Sequence, residues 1–152
     1  LIQLPIKLKV AGDIDQMPEY KRVILEKSKN LDIEYLGLIK DKDILLGIMN
    51  NAKLFIFPSL FEAMSMMLLE AASCNTPIIA SNIVSNKVVF NEDEILFFNV
   101  NNSEDLARKI VWALENYQKM ELKSAKAYER LKNEYRMDII SNQYANLYNS
   151  IL

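Results

Sequence analysis

Two carboxylates eight positions apart, Glu62 and Glu70, are the residues of this chain best placed to do chemistry. They lie in the run Pro58 to Pro77, between an apolar segment ending in Pro58-Ser59 and a second one opened by Thr76-Pro77. Leu54-Phe55-Ile56-Phe57 reads as a buried strand and Ile78-Ile79-Ala80 as the next. Met64 to Cys74, between them, has helix-forming composition with neither Gly nor Pro inside it. Glu62 therefore falls on the turn between strand and helix, and Glu70 about two turns into the helix. A rise of about 1.5 Å per residue puts them on the order of 10 Å apart along the axis. That is too far to share a proton and suits gripping two ends of an elongated polar ligand. A helix starting near Ala63, Met64 and Ser65 aims free N–H groups and a positive dipole end outward, which favours a phosphate or pyrophosphate without a lysine. Glu70 then suits paired ribose hydroxyls. Glu62 suits sugar hydroxyls, or positive charge developing at an anomeric carbon. Two glutamates alone also read as solvated surface carboxylates, with Glu62 merely complementing the helix dipole. Their joint setting at a strand end is what turns them toward a ligand.

The elements that must position them follow from apolar patterning. Strands are expected over Ile6 to Ala11, Ile33 to Leu36, Leu54 to Phe57, Ile78 to Ser81 and Ile95 to Phe98. Helices are expected from Pro18 to about Asn30, after a cap at Asp43 (with Ile44, Leu45, Ile48 and Met49 as its apolar face), and over Met64 to Cys74. Strands separated by helices, apolar throughout rather than alternating, indicate an α/β protein with a parallel sheet of about five strands covered on both faces. From residue 103 to 152 the texture is helical, beginning with a cap at Asn102 or Ser103 and acids Glu104 and Asp105 in the first turn. The last helix carries Ile140, Tyr144, Leu147, Tyr148 and Ile151 in a stripe that needs a surface to lie on. That surface is either this same domain, the plainer reading, or a separate partner domain. Asn82 to Glu94 is the loose stretch. In open α/β sheets ligands bind beyond the carboxyl ends of the strands, which nominates the loops Gly12 to Asp15, Gly37 to Asp41, Pro58 to Ser65 and Ser81 to Asn86.

Bulk composition removes several functions. The chain has 152 residues, half of them hydrophobic, and a net charge of −2. It is read as one domain, with no basic block to attract nucleic acid. Histidine is absent, so neither His-based acid–base chemistry nor a His-rich zinc site is available. The single cysteine, Cys74, permits no internal disulfide and makes a reducing compartment, the cytoplasm, the default. It reads as a small buried residue rather than a nucleophile, because no basic partner is nearby in sequence. No apolar run approaches the roughly 20 residues of a membrane helix. Leu1 to Pro5 is no signal peptide, and without an initiator Met the chain reads as a piece of a longer protein. Met64, Met66 and Met67 read as packing residues, as does Trp112.

Pro58-Ser59, Glu62, Glu70-Ala71 and Cys74-Asn75-Thr76-Pro77-Ile78-Ile79-Ala80-Ser81 resemble the signature block of retaining nucleotide-sugar glycosyltransferases of family 4, which have the GT-B fold. That pattern runs Pro-Ser-x-x-Glu-Gly-x-Gly-x-x-x-Leu-Glu-Ala, then Cys-Gly-x-Pro-Val-Ile-Ala-Ser. Leu8-Lys9-Val10-Ala11-Gly12-Asp13-Ile14 is similar to the family's Leu-x-Ile-x-Gly-x-Gly turn, and Tyr35-Leu36-Gly37 to its Phe-Leu-Gly segment. The resemblance covers nearly the whole chain. It implies a C-terminal, donor-binding, Rossmann-like domain, half of a GT-B fold, in which Glu70 holds the ribose and Glu62 contacts the donor sugar. It further implies that the amides of Ala63, Met64 and Ser65 meet sugar or phosphate. Gly12 would line the first loop, and Ile39 would border the nucleobase with Leu38 and Asp41 nearby. The partner is then a nucleotide-sugar donor, with no bound metal and no cofactor. The acceptor is a glycan or lipid-linked molecule, and any membrane contact is peripheral, through the full-length protein.

Departures from the pattern are local. Ala63 and Ser65 replace two glycines, Met67 a common proline, and Asn75 the glycine after Cys74; Asn tolerates a left-handed turn better than most residues. Ile14 stands where the first loop has a second glycine. The acceptor domain and the first strand–helix unit of the donor domain, with its basic residues, would precede this chain; neither Lys7 nor Lys9 is placed to replace them. The isolated chain is accordingly expected not to turn over. Two rival readings share the architecture: a catalytically silent binding module, and another GT-B enzyme such as a sugar-nucleotide epimerase. The absence of histidine weighs against the latter.

Overall fold

The computed structural model describes residues 6–151. Leu1 to Pro5, read above as no signal peptide, lie outside the described residues. Among the described residues, five strands and seven α-helices follow in the order β1 (Leu8–Ala11), α1 (Pro18–Lys27), β2 (Ile33–Gly37), α2 (Lys42–Asn50), β3 (Phe55–Phe57), α3 (Met66–Ser73), β4 (Ile78–Ser81), α4 (Val84–Val89), β5 (Leu96–Phe98), α5 (Ser103–Glu115), α6 (Tyr117–Glu134) and α7 (Met137–Ile151). The chain divides into two compact units, residues 1–45 and 46–152. Every strand pairing is parallel, as the continuous apolar runs predict, and the pairings form two ladders, β1-β2 and β3-β4-β5.

In the first unit Leu8 pairs with Ile33 and Val10 with Tyr35. The ladder closes where Gly12 N–H donates to the Gly37 carbonyl at 2.8 Å. Gly12 has φ +141° and Gly37 φ +66°, and no atom lies within 4 Å of where a Cβ would stand on either. Backbone conformation rather than crowding is therefore what calls for glycine at these two turns. Pro18 takes the first turn of α1, where its missing N–H costs nothing.

The second unit is built on β4. All four of its residues are buried, whereas β3 is only half-buried. Ile79 packs with Phe98, Ala113 of α5 and Met120 of α6, and Leu96, Leu106, Ile110 and Trp112 lie against that cluster. Successive strand side chains alternate in direction, so buried Ile78 and Ala80 face the other way and both faces of the sheet are covered. A half-buried Arg130 on α6 pairs at 3.1 Å with Glu94, which also accepts from the Asn91 N–H.

α5 begins as its sequence predicts. The Asn102 side chain accepts from Asp105 N–H at 2.9 Å, capping the helix. Asp105 in turn accepts from Asn99 N–H at 2.7 Å and from Arg108 at 3.3 Å. The Asn99 amide first, and Arg108 after it, hold this carboxyl below its ordinary range. Its folded pKa being depressed, the stabilisation is present above the unfolded value of about 4 and lost as pH falls through the lower folded value. Thermal melts of Asp105→Asn are expected to fall below the parent's at neutral pH and to converge on it in acid; a constant offset at all pH values would contradict this.

Several expectations need correction. The loose stretch contains a helix, α4, which its composition hides because Val84, Val88 and Val89 are β-branched and poor helix formers. The cap of α2 is Asp41 rather than Asp43: its Oδ1 accepts from Asp43 N–H at 2.9 Å and Ile44 N–H at 3.2 Å. Met64 and Met66, expected to pack, are about half exposed. In α7 no residue is buried, and Tyr144, Leu147, Tyr148 and Ile151 all stay exposed, so the plainer reading of its stripe fails. The helix is amphipathic, but it touches its own unit chiefly through α6.

Candidate functional site

Because β3 and β4 run parallel, the loops that follow them emerge at the same end of the three-stranded sheet. The first, residues 58–65, leads into α3; the second, 82–83, leads into α4. Glu62 sits half-buried on the first loop, where its Oε1 accepts from the Ser59 hydroxyl at 2.6 Å, and the Phe61 carbonyl lies 3.1 Å from that hydroxyl. Glu70 lies on α3, half-buried, not the fully solvated carboxylate of the bland reading. The helix is held at its far end by Asn75, which adopts φ +53°. Its N–H donates to Ala72 O at 2.9 Å, and Thr76 N–H donates to Ala71 O at 3.2 Å. That paired closure of a helix end ordinarily employs glycine, and asparagine is the substitute that strains least. Thr76 Oγ1 then ties the turn to the Met49 carbonyl at 2.9 Å.

A hollow of about 830 Å³ opens between the two loops, lined among others by Glu62, Ala63, Met64, Ser85, Val89 and Tyr135. The Tyr135 hydroxyl donates to the Val89 carbonyl at 3.3 Å, bracing the wall formed by α4. Phe61, 86 % exposed, and Met64, 50 % exposed, give the rim an apolar surface. Such a mixture of apolar walls with one carboxylate suits a ligand having both an apolar face and hydroxyl groups.

Of the residues named from sequence, this hollow gathers Glu62, Ala63 and Met64. Ser65 is fully buried. It stands at the position before α3 without capping it, and its hydroxyl donates instead to Asn86 Oδ1. Glu70 is on the helix that the loop enters and is not part of the hollow's lining. Gly12, Leu38, Ile39 and Asp41 belong to the first unit, where Leu38 is exposed, Ile39 half-buried and Asp41 occupied as the cap of α2. Cys74 is half-buried, its Sγ 3.5 Å from the Leu46 carbonyl. Among the described residues, no group of three His, Cys, Asp or Glu could hold a metal ion, and no helix is long and apolar enough to cross a membrane.

Sequence reasoning passed over Ser59, Ser81, Asn86 and Tyr135 as individual site residues. The first three fell inside nominated loops. Only their hydrogen bonds, which join positions as far as 22 apart in sequence, single them out.

Comparison with known proteins gives a concordant result. Residues 2–134 match the family described as "Glycosyl transferases group 1". The chain is similar to O-antigen chain mannosyltransferase B of Escherichia coli, 28 % identical over 116 residues that make up 76 % of this chain and 30 % of that protein. It spans, in other words, less than a third of that relative's length. Among solved structures, a glycosyltransferase from Rickettsia africae superposes with a TM-score of 0.83 at 21 % identity, covering 96 % of this chain and 40 % of the other. Anabaena Alr3699/HepE, crystallised with UDP and glucose, superposes with a TM-score of 0.80 at 20 % identity, covering 99 % and 42 %. At such identities the likeness speaks for fold. It is that of the C-terminal half of a GT-B structure: parallel sheet, flanking helices and a helical C-terminal segment.

Proposed function

The chain belongs to the group 1 glycosyl transferases, and from that premise we propose that it is the donor-binding half of a retaining, family 4 hexosyltransferase. The observation that carries it is the meeting of Glu62, Ala63 and Met64 in one hollow at the carboxyl end of β3 and β4, beside the helix that bears Glu70.

The donor is a nucleoside diphosphate sugar, in keeping with the UDP held by the Anabaena protein of the same fold. Glu70 accepts from paired ribose hydroxyls. The amides at 63–64 receive the sugar or diphosphate, and Gly12, Leu38, Ile39 and Asp41 lie along the nucleotide. Asp41 contributes mainly by anchoring α2, since both its donors are backbone amides of that helix. Ser65 acts from behind the site rather than in it. Glu62 contacts the sugar and stabilises positive charge at the anomeric carbon. Transfer to a glycan or lipid-linked acceptor requires a second domain, which the exposed stripe of α7 would meet. No metal takes part, and the reaction runs on the cytoplasmic side, at the membrane where the full-length protein is associated with it.

The test is titration of the protein with a panel of nucleoside diphosphates by calorimetry. Glu70→Ala removes charge-assisted hydrogen bonds, of which one alone is worth about 1.5–3 kcal/mol, so the Kd of the preferred nucleotide should rise at least roughly 10- to 100-fold. The 152 residues alone should bind without turnover. Binding of no nucleotide by the full-length protein would favour the silent module; an unchanged Kd in Glu70→Ala would remove Glu70 from the site.

A further inference from the structure

Five residues in the second unit are linked into one run by hydrogen bonds, with the Ser59 backbone as one of its links. The Ser65 hydroxyl donates to Asn86 Oδ1. Asn86 Nδ2 donates to the Ser81 carbonyl at 2.9 Å and to Ser81 Oγ at 3.1 Å. Ser81 Oγ donates to the Ser59 carbonyl at 2.5 Å, and Ser59 Oγ donates to Glu62 Oε1 at 2.6 Å. Ser65, Ser81 and Asn86 are each wholly buried. Among the described residues no buried side-chain nitrogen or oxygen lacks a partner, so the run is fully satisfied.

Three features make this more than core filling. A serine immediately before a helix would ordinarily cap it, yet Ser65 forgoes that bond for Asn86. Asn86 lies on α4 between Ser85 and Val88, residues that line the hollow, so one short helix both walls the hollow and reaches behind it. The bonds grasp the Glu62 loop at each end, at the Ser65 side chain on the α3 side and at the Ser59 carbonyl on the β3 side, and the Ser59 side chain in turn holds the Glu62 carboxylate. A buried amide with several fixed partners has a single orientation, and the residue whose carbonyl it fixes through Ser81 is the one whose side chain holds Glu62.

We propose that Asn86 is a positioning residue for Glu62: through Ser65 on one side and Ser81 and Ser59 on the other, it sets where the carboxylate stands in the hollow. As to catalysis this rests on the donor-site reading above; as to the loop it does not. The Ser65 side chain accordingly leaves the hollow unobstructed, because Asn86 draws it into the interior.

The experiment compares Asn86→Ala, Ser59→Ala and the double variant in the full-length protein. Ser59 is only half-buried, which makes its variant the one sure to fold. Each single variant should lower kcat at least tenfold with donor KM within about twofold, and the double should fall no further than the worse single, since both act on Glu62 through the Ser59 position. Multiplicative losses, or losses in KM alone, would overturn the proposal, because a merely structural Asn86 would act independently of Ser59. Hydrogen exchange supplies a second readout that needs no activity: in Asn86→Ala, the Met66 and Leu68 amides, which donate to the Met64 and Ser65 carbonyls of the loop, should exchange at least tenfold faster while those of β4 stay protected. Unchanged exchange would overturn the proposal. An inactive parent whose Asn86→Ala variant nevertheless loses loop protection would sink the donor-site reading and leave Asn86 as the residue that positions the loop.

Discussion

Glu62→Gln in the full-length protein is expected to lower kcat about 100- to 1,000-fold, the range found when one electrostatic partner of a transition state is removed. The substitution keeps the size of the side chain. It also keeps a carbonyl oxygen able to accept from Ser59, whose hydroxyl lies 2.6 Å from the present Oε1. What disappears is the negative charge. On the proposed donor-site reading, cleaving the bond between sugar and diphosphate leaves positive charge at the anomeric carbon, and the Glu62 carboxylate would stabilise that charge more than it does the neutral ground state. The loss should therefore appear in kcat, with donor KM little changed. A Gln variant with parental kcat would show that Glu62 only shapes the hollow. One that raised KM alone would make it a ground-state contact.

Leu68→Ala should cost about 2–5 kcal/mol of folding stability, the usual range for a fully buried leucine cut back to alanine. Leu68 is 0 % exposed on α3, two positions before Glu70 and three after Ser65. Ala71 and Ala72, on the same helix, are likewise fully buried, so this face of α3 lies wholly against protein. Denaturant unfolding would read the loss as a shift of the midpoint with unchanged slope. An effect below about 1 kcal/mol would mean that α3 repacks readily, which would also weaken the case for a rigid helix beneath the site.

Much of this molecule could be read from the chain alone, and for definite reasons. Ile78 to Ser81 is apolar without alternation because both faces of β4 are covered, and a pattern of that kind survives without knowledge of its neighbours. The Glu62–Glu70 spacing carries across a strand–turn–helix because local geometry dictates where each falls. Asn75 at a glycine position is legible as a left-handed turn, and φ +53° agrees. The helix start at Asn102 is equally local, involving a side chain and an amide three residues on.

Other features depended on contacts between distant positions. α4 is a helix despite three valines, since its buried Asn86 is bonded to Ser65 and Ser81 on other elements and so outweighs local propensity. The fate of the Ser65 side chain could not be inferred from its substitution for glycine; a small hydroxyl suits either a ligand or the interior, and its acceptor lies 21 residues away. α7 has a legible stripe, but periodicity states only that a face is apolar, never what covers it. From sequence alone came every element but α4, their parallel character and the two acids, all set by short-range sterics and hydrophobic period. The tertiary structure alone decided which polar side chains turn inward to hold Glu62, because hydrogen bonding between separate elements leaves no periodic trace along the chain.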